Sequence, residues 1–347
     1  MAKKVLVAMS GGVDSAVAAL LLQQRGYDVS GITMRLIGDL TAPDINCIDA
    51  KAIADTLGIA HHIVSYHCDF QKNVIDKFLR SYINGNTPNP CVDCNRTIKF
   101  GKLWEDTLKL ECDHLATGHY AKIINSADGK KYLTKAKDDK KDQSYFLWGI
   151  SNEILSKVIF PLGEYTKEEI REIAEKNNFV NAHRSDSQDI CFINNGDYAT
   201  FIKENVNCNF PCGDYVDISG NKIGTHQGII NYTVGQRKGL GTAFGVPMFV
   251  GGKNAATNTV MLCTDEQLYS DTLTAKSINL LVDDTLETGM RLQAKIRYRH
   301  NPAWATVTRS DYDTLTVKFD TPQRAIAPGQ SLVLYDGDIV VGGGIIQ

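Results

Sequence analysis

A glycine-rich turn near the start of the chain is the first stretch whose residues could do chemistry. Residues 10–15 read SGGVDS, after the apolar run VLVAM and before AVAALLLQQRG. Glycines let a backbone approach an anion, and the start of a helix offers free N–H groups at the positive end of its dipole. The turn lacks the GK[ST] of the common P-loop and the GxGxxG of dinucleotide-binding folds. It therefore predicts another kind of phosphate site, in which Mg²⁺ would balance the charge of Asp14.

A pair of cysteines is the second feature. In TPNPCVDCNRTIKF (87–100), the two prolines around Asn89 predict an extended loop with no helix before Asn95. Cys94 would then lie just before a helix and close to Arg96, and both neighbours lower the pKa of a thiol. The segment is therefore a candidate for thiolate chemistry.

Two plainer interpretations of the cysteines stay open. A zinc knuckle would need four ligands, and the other close pair in the sequence is Cys208 and Cys212, which are separated by three residues. Buried thiols are the second interpretation. Cys191, in SDSQDICFINN (185–195), is by itself typical of a core cysteine.

The composition is that of a globular protein with more than one domain. The chain has 347 residues, of which 43% are hydrophobic and 22% charged, and its net charge is −3. This length predicts two or three domains, and the small net charge still allows a local basic face that binds nucleic acid. The longest apolar runs are too short for a membrane span or a signal peptide. We therefore expect a cytoplasmic protein whose nine cysteines do not form a disulfide framework.

The order of elements predicts an α/β fold followed by β structure. Over the first 120 residues, apolar runs alternate with helix-forming runs, which indicates a doubly wound, mostly parallel sheet with ligands at the carboxyl ends of its strands. SGGVDS, Met34 and GHY (118–120) all fall at such ends. Residues 164–178 predict a helix that begins with a capping box of Thr166 and Glu169. From about residue 270, five short alternating runs predict a small antiparallel barrel.

A basic stripe is predicted on that barrel. In RLQAKIRYR (291–299), the apolar residues and the polar residues would occupy opposite faces of one strand. Four of the polar residues are cations, spaced about 6 to 7 Å apart, which is similar to the phosphate spacing of a nucleic-acid strand. The stripe indicates a nucleic-acid contact, and a solvated outer face is the alternative.

Seven motifs, in their order and spacing, resemble the tRNA-specific 2-thiouridylases, a family of PP-loop ATP pyrophosphatases. They are SGGVDS, TPNPCVDCN, GHYAK, KDQSYFLW, DSQDICF, YTVGQRKGLG and PGQS. Family members adenylate the C2 oxygen of the wobble uridine with ATP and then replace that oxygen with sulfur from a cysteine persulfide. The resemblance implies three domains: a PP-loop ATP-binding catalytic domain (1–204), a central tRNA-contacting domain (205–268) and a C-terminal β-barrel (269–347).

The resemblance also implies the site residues and the partners. Cys191 would carry the persulfide, and Cys94 would be the second catalytic thiol. ATP, with Mg²⁺, would be bound by Ala8, Met9, Ser10, Gly11, Gly12, Val13, Asp14, Ser15, Met34 and Gly118. The anticodon stem-loop of the tRNA would be bound by Asn89, Pro90, Cys91, His119, Lys141, Asp142, Gln143, Arg297, Tyr298 and Gln330. A cysteine desulfurase or a sulfur-relay protein would donate the persulfide, and we expect the enzyme to act as a monomer away from membranes.

The chain departs from the family pattern at Cys91, where many members have an aspartate that is thought to act on the target base. A cysteine can serve as an acid or a base only if its pKa falls towards neutrality. Cys91, Cys94 and Cys191 could instead hold an iron–sulfur cluster with one open iron, as in some related tRNA thiolases. Two rival classes are a synthetase that adenylates a small carbonyl substrate for attack by ammonia, with structural zinc, and a noncatalytic RNA-binding protein. The latter leaves SGGVDS without a role.

Overall fold

The structure, a computed structural model, describes residues 2–38, 41–42, 44–126, 129–179, 181–182, 189–193, 196–282 and 285–347. The helices are α1 (Val13–Gln24), α2 (Ile45–Leu57), α3 (His67–Phe70), α4 (Asp76–Ile83), α5 (Pro90–Cys94), α6 (Leu103–Lys109), α7 (Asn152–Leu155), α8 (Lys167–Lys176) and α9 (Tyr198–Asn205). Two π-helical segments cover Gln71–Ile75 and Asn95–Lys102.

The strands alternate with these helices in the first part of the chain and predominate in the last part. They are β1 (Lys4–Ala8), β2 (Asp28–Arg35), β3 (Ala60–Ser65), β4 (His114–Thr117), β5 (Lys122–Asn125), β6 (Lys131–Thr134), β7 (Val158–Ile159), β8 (Gly213–Val216), β9 (Lys222–His226), β10 (Phe249–Asn254), β11 (Thr259–Cys263), β12 (Tyr269–Leu280), β13 (Arg291–Lys295), β14 (Ala303–Ser310), β15 (Thr314–Arg324), β16 (Ser331–Asp336) and β17 (Ile339–Ile346).

The chain divides into two compact units. The first comprises residues 1–74, 91–188 and 337–341, and the second comprises residues 75–90, 189–336 and 342–347. The domain boundaries expected after residues 204 and 268 stay a prediction. No helix in the described part of the chain is long and apolar enough to cross a membrane.

A parallel five-stranded sheet in the order β3-β2-β1-β4-β7 organises the first unit. The register pairs Ala8 of β1 with Ile32 of β2 and with Thr117 of β4, so these three strands reach the same edge of the sheet. β1 lies between β2 and β4, where the strand order reverses, and open α/β sheets bind ligands at this point. The predicted parallel α/β fold is confirmed.

Burial of α1 fixes the start of this helix against the sheet. Nine of its twelve residues are buried, because its sequence is Ala- and Leu-rich around most of its circumference. The eight that are apolar form one core with Val5 and Val7 of β1 and with Ile170 and Ala174 of α8. The turn that precedes α1 is therefore held by a helix that packs into the core.

The second unit contains β structure of two kinds. One sheet has the order β10-β11-β8-β9, and the other runs β12-β15-β14-β13-β16-β17 and closes by antiparallel pairing of β12 with β17. The predicted barrel is confirmed, with one strand more than the five runs that we identified, since β12 also takes part. The strand predicted over 291–299 ends at Lys295. A turn follows, in which the N–H of His300 donates to the carbonyl of Arg297 (3.2 Å), and Pro302 cannot donate to a ladder.

Candidate functional site

The SGGVDS turn connects β1 to α1 within the first unit. Gly11 has a φ of +70°, and a Cβ at this position would lie 2.7 Å from the carbonyl oxygen of Asn46, so the turn needs glycine here. Gly12 is the N-cap of α1, and within the described residues no side chain caps this helix start. The N–H groups of the first turn are therefore available to an anion, which is the arrangement that binds phosphate oxygens.

Ser15 holds the turn in shape. Its hydroxyl donates to the carbonyl of Gly12 (3.0 Å) and accepts from the N–H of Ser10 (3.1 Å). The side-chain amide of Asn181 donates to the carbonyl of Gly11 (2.7 Å). The Ser15 hydroxyl thus closes the turn, and the binding of ATP by Ser15 stays a prediction. The remaining capacity for phosphate lies mainly in the backbone.

The charge of Asp14 is balanced by Lys167, the first residue of α8. The Lys167 ammonium lies 2.7 Å and 2.9 Å from the two carboxylate oxygens, and the hydroxyl of Tyr120 donates to one of them (2.7 Å). The lysine side chain is 4% exposed and the aspartate side chain 33% exposed. Lys167 thus places a positive charge beside Asp14 in the protein itself, and the Mg²⁺ expected there stays a prediction.

Sequence reasoning missed Lys167 because its partner lies 153 positions earlier in the chain. The available signal was the capping box of Thr166 and Glu169, which the structure confirms. A capping box fixes where a helix begins, and it therefore also fixes that Lys167 occupies the first helical position.

Gly118 and His119 follow β4 and bring a second element against the turn. A Cβ on Gly118 would lie 2.9 Å from the backbone carbon of Asp14 and 2.9 Å from the nitrogen of Ser15. Only glycine fits so close an approach. The first unit therefore joins two of the predicted nucleotide-binding segments, the SGGVDS turn and Gly118, in one place.

His119 is buried and held in a defined orientation. Its Nε2 lies 3.3 Å from the ammonium of Lys99, and its Nδ1 lies 2.7 Å from the hydroxyl of Thr117. The rings of Phe100 and Phe160 lie 6.0 Å and 5.9 Å from the imidazole. Burial, and then the charge of Lys99, hold the pKa of His119 well below its usual value. The imidazole is therefore neutral, and it accepts from Lys99 through Nε2 and donates through Nδ1.

The helix that carries Cys91 and Cys94 begins earlier than predicted. α5 starts at Pro90, and the π-helical segment Asn95–Lys102 continues it. Proline is tolerated at the first position of a helix, because the N–H that it lacks has no partner there in any case. Cys94 therefore does not precede a helix, and the argument that a helix N-terminus activates it does not apply. Cys91 is exposed and Cys94 is buried.

Cys191 is displayed by a turn in the second unit. The N–H of Ile193 donates to the carbonyl of Ile190 (2.9 Å), so Cys191 occupies a central position of the turn. Its thiol is exposed, whereas the next residue, Phe192, is buried against the rings of Phe78 (5.4 Å) and Phe201 (5.2 Å). The interpretation of Cys191 as a core cysteine is wrong, because it is Phe192 that enters the core. Residues 185–188, 194 and 195 of the motif lie outside the described residues.

Comparison with known proteins identifies the family. The family model of a tRNA methyl transferase HUP domain matches residues 3–195, that of a tRNA methyl transferase PRC-barrel domain matches 199–264, and that of an aminomethyltransferase beta-barrel domain matches 270–346. A tRNA-specific 2-thiouridylase MnmA from Clostridioides difficile is 46% identical over 100% of this chain and 99% of its own length. The chain belongs to the tRNA-specific 2-thiouridylase family.

Two further relatives agree with this assignment. The tRNA-specific 2-thiouridylases MnmA of Lachnoclostridium phytofermentans and Acetivibrio thermocellus are 44% and 45% identical, each over 99% of this chain and 99% of the relative. Family membership thus rests on the whole chain, including both units.

Among the residues expected to bind tRNA, Asp142 and Gln143 are engaged inside the first unit. The buried carboxylate of Asp142 accepts from the N–H of Ala136 (3.0 Å) and from the hydroxyl of Ser144 (2.8 Å). The side-chain carbonyl of Gln143 accepts from the N–H of Tyr120 (2.9 Å). The contact of Gln143 holds the backbone directly after His119. Lys141 is half-buried, and its contact with tRNA stays a prediction, as it does for the other two.

The tRNA-binding residues expected in the second unit are likewise engaged in part. The guanidinium of Arg297 donates to the carbonyls of Ala325 (2.7 Å) and Val234 (3.0 Å), and Lys295 lies over the ring of Tyr298 (5.4 Å). Because β13 ends at Lys295, a basic stripe along one continuous strand is wrong. Gln330 donates to the carbonyl of Thr87 (2.8 Å).

The remaining predicted residues fall at positions that limit what each can do. Met9 and Val13 bury their side chains in the core, so only their backbone could meet a nucleotide, whereas Met34, at the end of β2, is half-buried. Asn89 is half-buried and Pro90 is buried, and both directly precede Cys91.

The structure offers little evidence for a metal site. Within the described residues, no three His, Cys, Asp or Glu side chains form a group that could hold a metal. The iron–sulfur ligand set stays a prediction.

Proposed function

We propose that this protein thiolates the wobble uridine of tRNA at C2, with ATP as the activating substrate and a cysteine persulfide as the sulfur source. The observation that carries the proposal is the full-length identity of 44–46% to tRNA-specific 2-thiouridylases. The position of the SGGVDS turn, at the start of the buried helix α1 and in contact with Gly118, supports the proposal that ATP binds there. The reaction would take place in the cytoplasm, where tRNA and ATP are found.

The first half-reaction would activate the C2 oxygen of uridine, which is a poor leaving group. The C2 oxygen of uridine would attack the α-phosphorus of ATP, the bond to the β-phosphate oxygen would break, and pyrophosphate would leave. The backbone N–H groups after Gly12 suit the departing pyrophosphate, because a helix start stabilises anionic oxygens. Mg²⁺, when bound, would neutralise phosphate charge.

The second half-reaction replaces the activated oxygen by sulfur. The Cys94 thiolate would attack the inner sulfur of a persulfide on Cys191, which forms a Cys94–Cys191 disulfide and releases hydrosulfide. Hydrosulfide would add at C2, and AMP would leave with the oxygen. A dithiol reductant would then return the disulfide to two thiols. The exposed position of Cys191 suits a residue that must be loaded by a sulfur donor.

Cysteine variants with matched controls test the proposal. Cys94→Ser and Cys191→Ser should both abolish 2-thiouridine, as measured by mass spectrometry of tRNA nucleosides, while AMP release in the presence of tRNA continues. Cys47 is buried like Cys94, and Cys208 is exposed like Cys191, so Cys47→Ser and Cys208→Ser are the controls that should retain activity. If both test variants thiolate tRNA normally, the thiol roles are wrong.

The same assay separates the persulfide route from the cluster route. Metal-free protein purified in air should be active with ATP, Mg²⁺, tRNA and a persulfide donor, and Cys91→Ser should only slow it. Inactivity that iron and sulfide restore, and that Cys91→Ser abolishes again, would establish a cluster held by Cys91, Cys94 and Cys191.

A further inference from the structure

A turn of the second unit clasps the backbone that leads into the cysteine helix. The turn is Pro328–Gly329–Gln330, and the clasped residues are Thr87 and Pro88. The N–H of Thr87 donates to the carbonyl of Pro328 (2.8 Å). In the reverse direction, the side-chain amide of Gln330 donates to the carbonyl of Thr87 (2.8 Å) and approaches that of Pro88 (3.5 Å). Both backbone polar groups of Thr87 are thus bound by one turn.

Gly329 makes this approach possible. Its φ is +91°, and a Cβ at this position would lie 3.0 Å from both the nitrogen and the carbonyl carbon of Thr87. A side chain here would be strained by the backbone conformation and would also push Thr87 away. The contact therefore depends on the absence of a side chain.

The barrel holds the turn in place. The N–H of Gly329 donates to the carbonyl of Ile346 (2.9 Å), and the N–H of Ile346 donates to the carbonyl of Gln330 (2.8 Å). Ile346 is the last residue of β17 and is buried. If Thr87 moved, it would have to break its hydrogen bonds to this turn. The turn itself is hydrogen-bonded to β17 of the closed barrel.

The chain from Thr87 to α5 is short and stiff. Pro88 and Pro90 have fixed φ angles, and α5 begins at Pro90, only two residues after Pro88. Few backbone angles are therefore free to vary between Thr87 and the first residue of α5. We propose that Gly329 and Gln330 are positioning residues that set the orientation of the cysteine helix. The inference rests on the proposed function for its catalytic consequence, although not for its structural one.

This role differs from the one that the sequence predicted for Gln330. A side chain that contacts tRNA would affect binding of the tRNA, whereas a side chain that holds Thr87 would affect the cysteines in the absence of any RNA. The two roles therefore give different results in free protein.

The test uses the full chain and two variants of the turn, Gln330→Ala and Gly329→Ala. Gly289→Ala is the matched control, because Gly289 also precedes a barrel strand with a positive φ of +96° but has nothing within 4 Å of a Cβ. Thr87→Val is a second control, since the turn binds only the backbone of Thr87. The readouts are the alkylation rates of Cys94 and Cys91 by mass spectrometry, amide exchange over residues 87–94, and kcat and KM for tRNA.

We expect alkylation of buried Cys94 in both turn variants to rise about fivefold, which corresponds to the loss of one neutral hydrogen bond. Exposed Cys91 should change little, and kcat should fall while KM for tRNA is retained. Both controls should behave like the unaltered chain. If Cys94 and the 87–94 amides are unchanged in both variants, or if Gly289→Ala shows the same effect, the positioning role is wrong. If the unaltered chain does not thiolate tRNA, the proposed function fails while the alkylation result still decides the positioning role.

Discussion

The ammonium of Lys167 contacts both oxygens of Asp14, at 2.7 Å and 2.9 Å, and so joins the first residue of α8 to the first turn of α1. The pair lies directly beside the SGGVDS turn, where phosphates are proposed to bind. An unbalanced carboxylate there would repel them. The pair therefore accounts for an aspartate at a position where an acidic side chain is otherwise unfavourable.

Removal of the lysine charge should harm both stability and nucleotide binding. Lys167→Met should lower the free energy of unfolding by about 2 kcal/mol, because it strands a partly buried carboxylate. It should also raise the KM for ATP about tenfold through repulsion of the phosphates. Adding Asp14→Asn should recover part of both losses, which urea unfolding and AMP-release kinetics can measure.

An exposed ion pair between Lys137 and Glu169 of the same helix provides the control. Lys137 lies 2.9 Å from Glu169 with both side chains nearly half exposed, so Lys137→Met should cost less than about 1 kcal/mol and leave the KM for ATP unchanged. Strictly additive effects of Lys167→Met and Asp14→Asn would contradict a direct interaction between the two side chains.

Gly118 should not tolerate any side chain. Gly118→Ala would place a methyl group 2.9 Å from the backbone of Asp14 and Ser15, so the turn must shift. Overpacking of this kind costs about 1 to 3 kcal/mol, and we expect a raised KM for ATP in AMP-release assays. Gly149→Ala is the control, because the atoms nearest to its Cβ would be those of the Arg96 side chain, at an ordinary distance of 3.5 Å or more. Equal kinetics for the two variants would show that Gly118 does not support the nucleotide site.

Local sequence signals predicted the elements around the site well. The apolar run before SGGVDS, the glycines of the turn and the capping box of α8 each act through neighbours within a few residues, and the structure contains all three. The parallel sheet and the barrel followed from the periodicity of apolar residues.

The sequence predictions that were wrong or incomplete have two physical causes. Pro90 starts a helix instead of preventing one, because a proline at the first helical position and a proline in an extended loop have the same local sequence. Contacts between residues that are distant in sequence were also inaccessible, such as those of Lys167 with Asp14 and of Gln330 with Thr87. The sequence analysis assigned Asp14 to Mg²⁺ and Gln330 to tRNA, because only the fold brings their protein partners close.

Arg297 should act on stability more than on RNA affinity. Its guanidinium donates to two backbone carbonyls, of Val234 and Ala325, so Arg297→Ala would leave both without this donor. We expect the free energy of unfolding to fall by about 2 kcal/mol. Arg297→Lys should rescue this only partly, because an ammonium cannot reproduce the planar fork of donors.

Lys295 provides the comparison for Arg297. Lys295→Ala should leave stability nearly unchanged and lower the slope of log K for tRNA against log salt by about 1, if the residue contacts one phosphate. Filter binding at several salt concentrations measures this slope. A stable Arg297→Ala variant with a reduced salt slope would instead make Arg297 a phosphate contact.

His119 should make the protein less stable in acid. Burial, and then the charge of Lys99, lower the pKa of His119 well below 6.5. As the pH falls below about 6.5, the unfolded chain takes up a proton at this residue while the folded chain does not. The stability that comes from a neutral, buried His119 is therefore fully present above about pH 6.5. Below that pH it is lost, at up to about 1.4 kcal/mol of unfolding free energy per pH unit. Urea unfolding between pH 7.5 and pH 5 should show that the His119→Gln variant loses less stability in acid than the unaltered chain.

Four other histidines also contribute to the loss of stability in acid. Burial lowers the pKa of His61, His114, His226 and His300 as well, so one substitution removes only part of the dependence on pH. Lys99→Met should also reduce the loss, because His119 would then protonate more readily, and parallel curves for all three proteins would contradict a buried neutral His119.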